Sequence, residues 1–147
     1  MRILLAIDES KFSEAAVQTL VRQGPSAGSD VRVLHVIEPT PLSLDGQVWG
    51  YALDLTAVLV EQRKAARELV TQAAEKLRAA GWTVSTAVEE GDPKTHILDR
   101  AAEWKVDLIL VGSHGRKGLD RFLLGSVSES VARHAHCSVE IVRIPAP

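Results

Sequence analysis

Glycine and serine recur in segment 111–128 at the points where a phosphate group could be held. Its sequence, Val-Gly-Ser-His-Gly-Arg-Lys-Gly-Leu-Asp-Arg-Phe-Leu-Leu-Gly-Ser-Val-Ser, has glycines after an aliphatic run, within a loop and before a helix. Gly112 and Gly115 let a ligand approach the backbone closely and can expose amides that bind an anion. Gly125 and Ser126 begin a helix whose first amides and positive dipole end favour phosphate. This spacing predicts a phosphate-binding loop.

Side chains of the same segment add hydrogen-bond donors and positive charge. The hydroxyl groups of Ser126 and Ser128 are candidate phosphate donors. Positive charge in the loop comes from Arg116, Lys117 and Arg121. His114 could contact phosphate or transfer a proton, but we expect a solvent-exposed histidine and no catalytic role. The segment matches neither G-x-x-x-x-G-K-[ST] nor G-x-G-x-x-G, and its first two glycines alone would also fit an ordinary turn.

The elements that must position this loop alternate along the chain between short aliphatic runs and longer stretches with helical spacing. Strands are expected over residues 2–7, 31–37, 83–89, 107–111 and 139–144. Helices are expected over residues 11–23, 57–80, 93–105 and 126–134. This alternation predicts an α/β fold, a three-layer sandwich in which helices cover both faces of a parallel sheet. The run 83–89 is more mixed than the others and is expected to be an outer strand.

Two connections are of interest beside the glycine loop. Asp8 follows the first strand directly, and Ser10 can cap the next helix, so the carboxylate should lie at the carboxyl edge of the sheet. The segment 38–56 is long for a connection inside a compact domain, and a lid, a partner surface and a merely mobile connection all remain open.

Composition narrows the classes of partner. The 147 residues are 46% hydrophobic, and 17 basic residues face 19 acidic ones, so we expect one domain over residues 1–147 and no nucleic-acid partner. The apolar run before Asp8 is too short for a signal-peptide core, and no later run approaches a membrane span. The single cysteine, Cys137, with His134 and His136 nearby, lacks zinc spacing. We expect a cytoplasmic protein without a metal site of its own or a membrane partner.

The complete spacing, Gly112-x2-Gly115-x9-Gly125-Ser126, resembles the G-x2-G-x9-G-[ST] signature of the ATP-binding branch of the universal stress protein family. The resemblance extends over nearly the whole chain. It includes an aliphatic first strand that ends in Asp8, a second that ends in His35-Val36, and a closing Cys-Ser-Val-Glu-Ile-Val-Arg over residues 137–143.

This resemblance implies a five-stranded parallel sheet of order 3-2-1-4-5 and an adenine nucleotide, ATP or else ADP or AMP, bound where the first and fourth strands end. The backbone near Val36 would read the adenine edge, and Asp8 would lie on the adenine and ribose side. The implied ribose- and phosphate-binding residues are Gly112, Gly115, Gly125, Ser126, Val127 and Ser128, with His114 and Arg116 in the same loop. A divalent ion, Mg²⁺ or Mn²⁺, would arrive with the phosphates. In this family the last strand, here 139–144, mediates a homodimer.

The chain departs from many relatives at two positions. Glu9 stands where they have glycine after the aspartate, which could crowd the turn or bring negative charge to the ligand. Ser138 stands where they often have proline, and we expect little effect on nucleotide binding.

Three functions follow, in order of preference. The first is an ATP-binding stress-response or regulatory module with an unknown downstream partner. It would be at most a slow ATPase with no assigned catalytic residue, because Asp120 is the only carboxylate in the loop. The second is an enzyme of adenylation or phosphoryl transfer, which would need a second substrate pocket. The third is a dimerisation module with an empty cleft, against which the intact signature argues.

Overall fold

Strands and helices alternate in the computed structural model, which describes residues 1–39, 52–115 and 123–145. The strands are β1 (Arg2–Ala6), β2 (Asp30–Ile37), β3 (Thr83–Glu90), β4 (Leu108–Gly112) and β5 (Ser138–Val142). The helices are α1 (Lys11–Gln23), α2 (Ala52–Ala79), α3 (Pro93–Trp104) and α4 (Ser126–His134). Most strand ends lie within one residue of their predicted positions. Within the described ranges, no helix is long and apolar enough to cross a membrane.

The strands form one parallel sheet in the order β3-β2-β1-β4-β5. The predicted fold class, strand order and outer position of β3 are therefore confirmed. The central strand β1 pairs with β2 on one side and β4 on the other, in a register that aligns Ala6 with Leu34 and with Val111. Because these strands are parallel, their carboxyl ends meet at one edge of the sheet.

Helices cover both faces of the sheet. On one face, Leu20 of α1 and Leu77 of α2 pack with Leu5 of β1 in a fully buried cluster. On the other face, residues of α3 and α4, including Val131, pack against Leu4. Successive residues of β1 thus point to opposite faces, as a strand buried on both sides requires.

The path of the chain opens a crevice at the carboxyl edge. After β1 the chain continues into α1 on one face, and after β4 it continues into α4 on the other face. Two neighbouring strands whose following helices diverge leave a gap between them, which is the usual ligand site of an open α/β sheet.

The second helix begins earlier than its apolar spacing predicts. It starts at Ala52 instead of residue 57, because no glycine or proline interrupts the chain between Gly50 and Gly81. Residues 52–56 therefore belong to a helix and not to the long connection, and residues 40–51 lie outside the described part of the chain.

The first turns of α2 extend beyond the strands. Arg63 pairs with Glu90, the last residue of β3, at 2.5 Å, so the turns before Arg63 lie past the carboxyl edge of the sheet. Leu59 falls on the apolar spacing of α2 but is 38% exposed for this reason.

The last strand is shorter than predicted and ends at Val142 instead of Ile144. Val142 pairs with Gly112, the final residue of β4, and its carbonyl accepts a 2.8 Å hydrogen bond from the Ser113 amide. No residue of β4 remains to extend the ladder.

Candidate functional site

A cleft of about 620 Å³ lies at the carboxyl ends of β1, β2 and β4. It is lined by every predicted site residue that the structure describes, namely Asp8, Val36, Gly112, His114, Gly115, Gly125, Ser126, Val127 and Ser128. Arg116, like Lys117, Asp120 and Arg121, lies outside the described residues. The fold therefore brings residues from four separate parts of the chain to one crevice.

The amino end of α4 faces the cleft with its backbone. Gly125 occupies the N-cap position and has no side chain to bond the first amides of the helix. The first hydrogen bond of the helix runs from the Glu129 amide to the Gly125 carbonyl oxygen, at 2.9 Å. An α-helix leaves its earlier amides without a helical partner, so the amides of Ser126, Val127 and Ser128 are available to an anion at the positive end of the helix dipole.

Ser128 stabilises the loop with its side chain. The residue is 2% exposed, and its hydroxyl lies 2.8 Å from the carbonyl oxygen of Ser113 and 3.0 Å from that of Gly125. The hydroxyl proton is therefore directed at protein carbonyls, and the predicted phosphate donor at this position reduces to the backbone amide. A serine one turn into a helix can reach back to the cap in this way.

His114 is buried, so the prediction of a solvent-exposed histidine was wrong. It is 8% exposed, and its ring lies 5.0 Å from that of Phe12 between centroids. Its Nε2 donates to the carbonyl oxygen of Leu123, which requires the proton on Nε2, and Nδ1 then accepts from the Ser113 hydroxyl at 3.0 Å. Nε2 therefore joins the two ends of the loop and Nδ1 is bonded to the neighbouring residue, so neither nitrogen is available for proton transfer.

Asp8 is fixed by the first turn of α1. Its Oδ1 accepts hydrogen bonds of 2.9 Å from the Ser10 amide and from the Ser13 hydroxyl. The Asp8 amide in turn donates to the Ser13 hydroxyl at 2.8 Å. The second carboxylate oxygen, Oδ2, is turned toward Gly115, where it lies 2.9 Å from the place that a β-carbon would occupy. Because Oδ1 is held by two donors, the carboxylate keeps one orientation in the cleft.

Gly112 is required by packing at the end of β4. A β-carbon at this position would lie 2.7 Å from the carbonyl carbon and 2.8 Å from the carbonyl oxygen of Phe12. The end of β4 thus rests directly on the backbone of α1. This contact brings Asp8 and the glycine loop to opposite sides of the same narrow crevice.

The backbone of Val36 faces the cleft. In a parallel ladder, alternate residues direct both backbone groups to the same side. Leu34 accepts from the Ile7 amide at 2.9 Å, so Val36 also turns its amide and carbonyl toward the β1 side. Since β1 ends at Ala6, these groups lie beyond its last paired residue. The neighbouring His35 side chain is engaged at the strand end, where its Nδ1 donates to Ile7 O at 2.7 Å.

Glu9 does not crowd the turn after β1. It is exposed at the rim of the cleft, and Lys105 is the one non-glycine residue with positive φ in the described ranges. A residue with a side chain therefore fits at this position without backbone strain.

Apolar residues of two helices complete the cleft walls. Pro93 and Ile97 approach from α3, and Ala65 and Ala66 approach from α2. Helical spacing in the sequence places Ile97 and Ala66 on the inward side of their helices. It does not assign them to the site, because the spacing shows which side of a helix is buried and not which end of the helix reaches the ligand. Together these walls form a slot with polar groups at its floor.

Known proteins are similar to this chain over nearly its whole length. Residues 1–143 match the sequence model of the universal stress protein family. A universal stress protein of Synechocystis sp. is 31% identical, over 97% of this chain and 97% of its own length. The universal stress protein YxiE of Bacillus subtilis is 34% identical, over 97% of this chain and 98% of its own length.

Solved structures are similar over the same extent. The hypothetical protein MJ0577 superimposes with a TM-score of 0.82 at 25% identity, covering 99% of this chain and 97% of that one. An Arabidopsis thaliana universal stress protein with AMP bound gives a TM-score of 0.72 at 18% identity, covering 99% and 93%. A universal stress protein in complex with cAMP gives 0.67 at 23% identity, covering 97% and 96%.

Proposed function

Because this chain belongs to the universal stress protein family, we propose that it is a regulatory module that binds an adenine nucleotide, ATP by preference, in the cleft between Asp8 and the first turn of α4. The observation that carries the proposal is the open amino end of α4, whose first three residues line the same cleft as the Asp8 carboxylate. ADP and AMP share the same adenosine and are expected to bind more weakly as phosphate contacts are lost.

The phosphates are assigned to the α4 side of the cleft. The amides of Ser126, Val127 and Ser128 converge there, and the helix dipole adds favourable potential for negative charge. The cap glycine leaves the approach open, and Gly115 has no side chain between Asp8 and the helix. Mg²⁺ or Mn²⁺, when present, is expected to come with the phosphates and not to occupy a separate protein site.

The adenosine is assigned to the side formed by β1, β2 and α3. The Val36 amide and carbonyl suit the donor and acceptor pattern of the adenine edge, and Pro93 and Ile97 supply an apolar surface for the ring. Asp8, a carboxylate that can accept hydrogen bonds from hydroxyl groups, lies where the ribose would connect base and phosphates. Two structurally similar proteins bind AMP and cAMP, which supports an adenine nucleotide as the ligand of this chain.

The proposed output is a change of shape or partner and not rapid turnover. Phosphoryl transfer needs a group that positions the attacking water and charges that stabilise the transferred phosphoryl. In the described part of the cleft, Asp8 is held by Ser10 and Ser13, and both nitrogens of His114 hold the loop. We therefore assign at most slow ATP hydrolysis, and adenylation or phosphoryl transfer to a second substrate remains the competing function.

Calorimetric titration with ATP, together with the nucleotide content of freshly purified protein, tests the proposal. We expect binding of one nucleotide per chain, with ATP bound more tightly than adenosine by about tenfold or more, because the phosphates contact charged helix-end amides. A chain that purifies empty and ignores added ATP would instead be the dimerisation module with an unused cleft. Rapid turnover on adding a second substrate would favour the enzyme.

We also propose a homodimer formed through β5. This strand is an edge of the sheet, and natural proteins seldom leave such an edge uncovered. Val139 and Ile141 alternate along this strand. Their side chains are half-buried against the α3 and α4 side of the core. The backbone of β5, more than its side chains, is therefore the surface offered to a second copy.

Proline at the β5 edge should separate the dimer. Val142 accepts from the Ser113 amide and so faces β4, which turns the backbone of Ile141 outward. Ile141→Pro removes an outward amide without removing a bond to β4, whereas Ile141→Val keeps that amide. Light scattering after gel filtration should find the dimer in wild type and Ile141→Val and the monomer in Ile141→Pro. A dimer that is unchanged in Ile141→Pro would place the interface elsewhere.

A further inference from the structure

The other edge of the sheet, β3, has features that the nucleotide site and the β5 dimer do not use. A groove of about 660 Å³ runs between this strand and α2. It lies outside the nucleotide cleft, and the two share no lining residue. We propose that this edge binds an extended acidic segment of a partner protein, which adds to the sheet as a sixth strand beside β3.

Alternate residues of β3 direct their backbone amides and carbonyls away from β2. The Gly91 amide donates to Ile37 O at 2.9 Å, so the odd-numbered residues of the strand face β2. Val84, Thr86, Val88 and Glu90 therefore direct their amides and carbonyls outward. Arg78 confirms this direction, because its guanidinium donates to Val84 O at 3.0 Å from the end of α2.

The outward groups of Thr86 and Val88 have no hydrogen-bond partner within residues 1–39, 52–115 and 123–145. A strand edge in this state is a template for another extended chain. β3 also lacks the proline and lysine residues that commonly protect an exposed edge. An incoming strand would satisfy these groups by ordinary sheet hydrogen bonds.

The wall of the groove matches the repeat of a strand. Arg63, Arg67 and Thr71 follow one another at intervals of four residues along α2, about 6 Å apart in rise. Every second residue of an added strand repeats at about 6.6 Å. Side chains on one face of that strand would therefore meet this stripe of α2 residue by residue.

The positive charge on this side of α2 favours an acidic partner. Arg63 is already paired with Glu90 at 2.5 Å, whereas Arg67 is exposed and has no ion pair among the described residues. An acidic side chain on the added strand would give Arg67 a partner in a planar, bidentate geometry. A second copy of this chain pairing symmetrically would instead bring its own Arg67 toward the first one, with Glu90 of each copy already bound to Arg63, and like-charge repulsion disfavours this arrangement.

Two capped peptides of about nine residues, roughly the length of β3, can test this proposal. One alternates glutamate with threonine and valine, and the other carries lysine in place of each glutamate. We expect the acidic peptide to slow amide exchange at Thr86, Val88 and Glu90 in the wild-type protein, and the basic peptide to leave these amides unprotected. The adenine nucleotide is not needed for this result, so it stands or fails independently of the proposed function.

Matched variants separate the backbone contribution from the charge contribution. Thr86→Pro removes an outward amide from an exposed position, and proline is tolerated on edge strands, whereas Thr86→Val keeps the amide. We expect Thr86→Pro to weaken acidic-peptide binding by about tenfold or more and Thr86→Val to change it by less than about twofold. Arg67→Glu should transfer the preference to the basic peptide.

Three results would overturn the proposal. The first is the absence of protection at all three amides with the acidic peptide. The second is equal binding of that peptide by wild type and Thr86→Pro. The third is self-association of the free protein that Thr86→Pro abolishes, because this edge would then bind a second copy.

Discussion

Gly115→Val is expected to fold like the wild-type protein and to bind ATP about a hundredfold more weakly, a loss of about 2.7 kcal/mol. The added β-carbon would lie 2.9 Å from Oδ2 of Asp8. Turning this carboxylate aside would cost the hydrogen bonds that Oδ1 accepts from the Ser10 amide and the Ser13 hydroxyl. The branched side chain would also fill the approach to the first turn of α4. Calorimetry with ATP, beside circular dichroism of both proteins, measures the two effects.

A smaller change at the same position isolates the contact with Asp8. Gly115→Ala adds only the β-carbon, so it should weaken ATP binding in the wild-type background and have less than about a twofold effect once Asp8→Ala has removed the carboxylate. Residues in direct contact show this non-additivity, whereas independent residues do not. ATP affinity in Gly115→Val within twofold of wild type would mean that the nucleotide does not pass between Asp8 and α4.

Gly112→Ala is expected to destabilise the fold by about 3 kcal/mol, at the upper end of overpacking costs. Its β-carbon would lie 2.7 Å from the Phe12 carbonyl carbon, and a backbone atom cannot turn away as the end of a side chain can. Moving α1 would disturb the Ser10 cap, and moving β4 would disturb its pairing with Val142. Urea denaturation of the two proteins gives the difference in unfolding free energy.

Gly125→Ala provides the matched comparison. Its β-carbon would meet the His114 Cα at 3.0 Å and the Ser113 carbonyl oxygen at 3.1 Å, contacts that a shift of a few tenths of an ångström relieves. We expect it to cost about 1 kcal/mol or less. Gly112 and Gly125 look equivalent in the glycine signature. A difference in unfolding free energy between the two alanine variants would show which glycine is needed for packing of the fold. Equal stability of Gly112→Ala and wild type would contradict the packing role of Gly112.

The fold could be predicted in most of its detail because its causes are local. Aliphatic runs bounded by glycine, proline and helix caps mark the strands, and Ser10 and Pro93 begin their helices where the sequence indicates. The amino end of α2 was missed because its first turns extend past the sheet, where apolar spacing no longer reports burial. Helix-compatible residues from Ala52 onward were the available signal.

The location of the candidate site could also be predicted, but the role of several side chains could not. The burial of His114 depends on Leu123 and Phe12, which the fold brings to it from other parts of the chain. The Ser128 hydroxyl is used by the Ser113 carbonyl for the same reason. Gly112 is needed for a close contact between two backbones. A sequence motif identifies these positions but does not show which neighbouring residue each of them contacts in the fold.

The first-turn amides of α4 are proposed to bind the phosphates of an adenine nucleotide opposite Asp8. A crystal structure of the protein grown with ATP and Mg²⁺ tests it directly. We expect phosphate oxygens within about 3 Å of the amides of Ser126, Val127 and Ser128, with the adenine edge at the Val36 backbone. A nucleotide bound elsewhere, or a cleft whose amides contact only the protein itself in the presence of saturating ATP, would contradict the account.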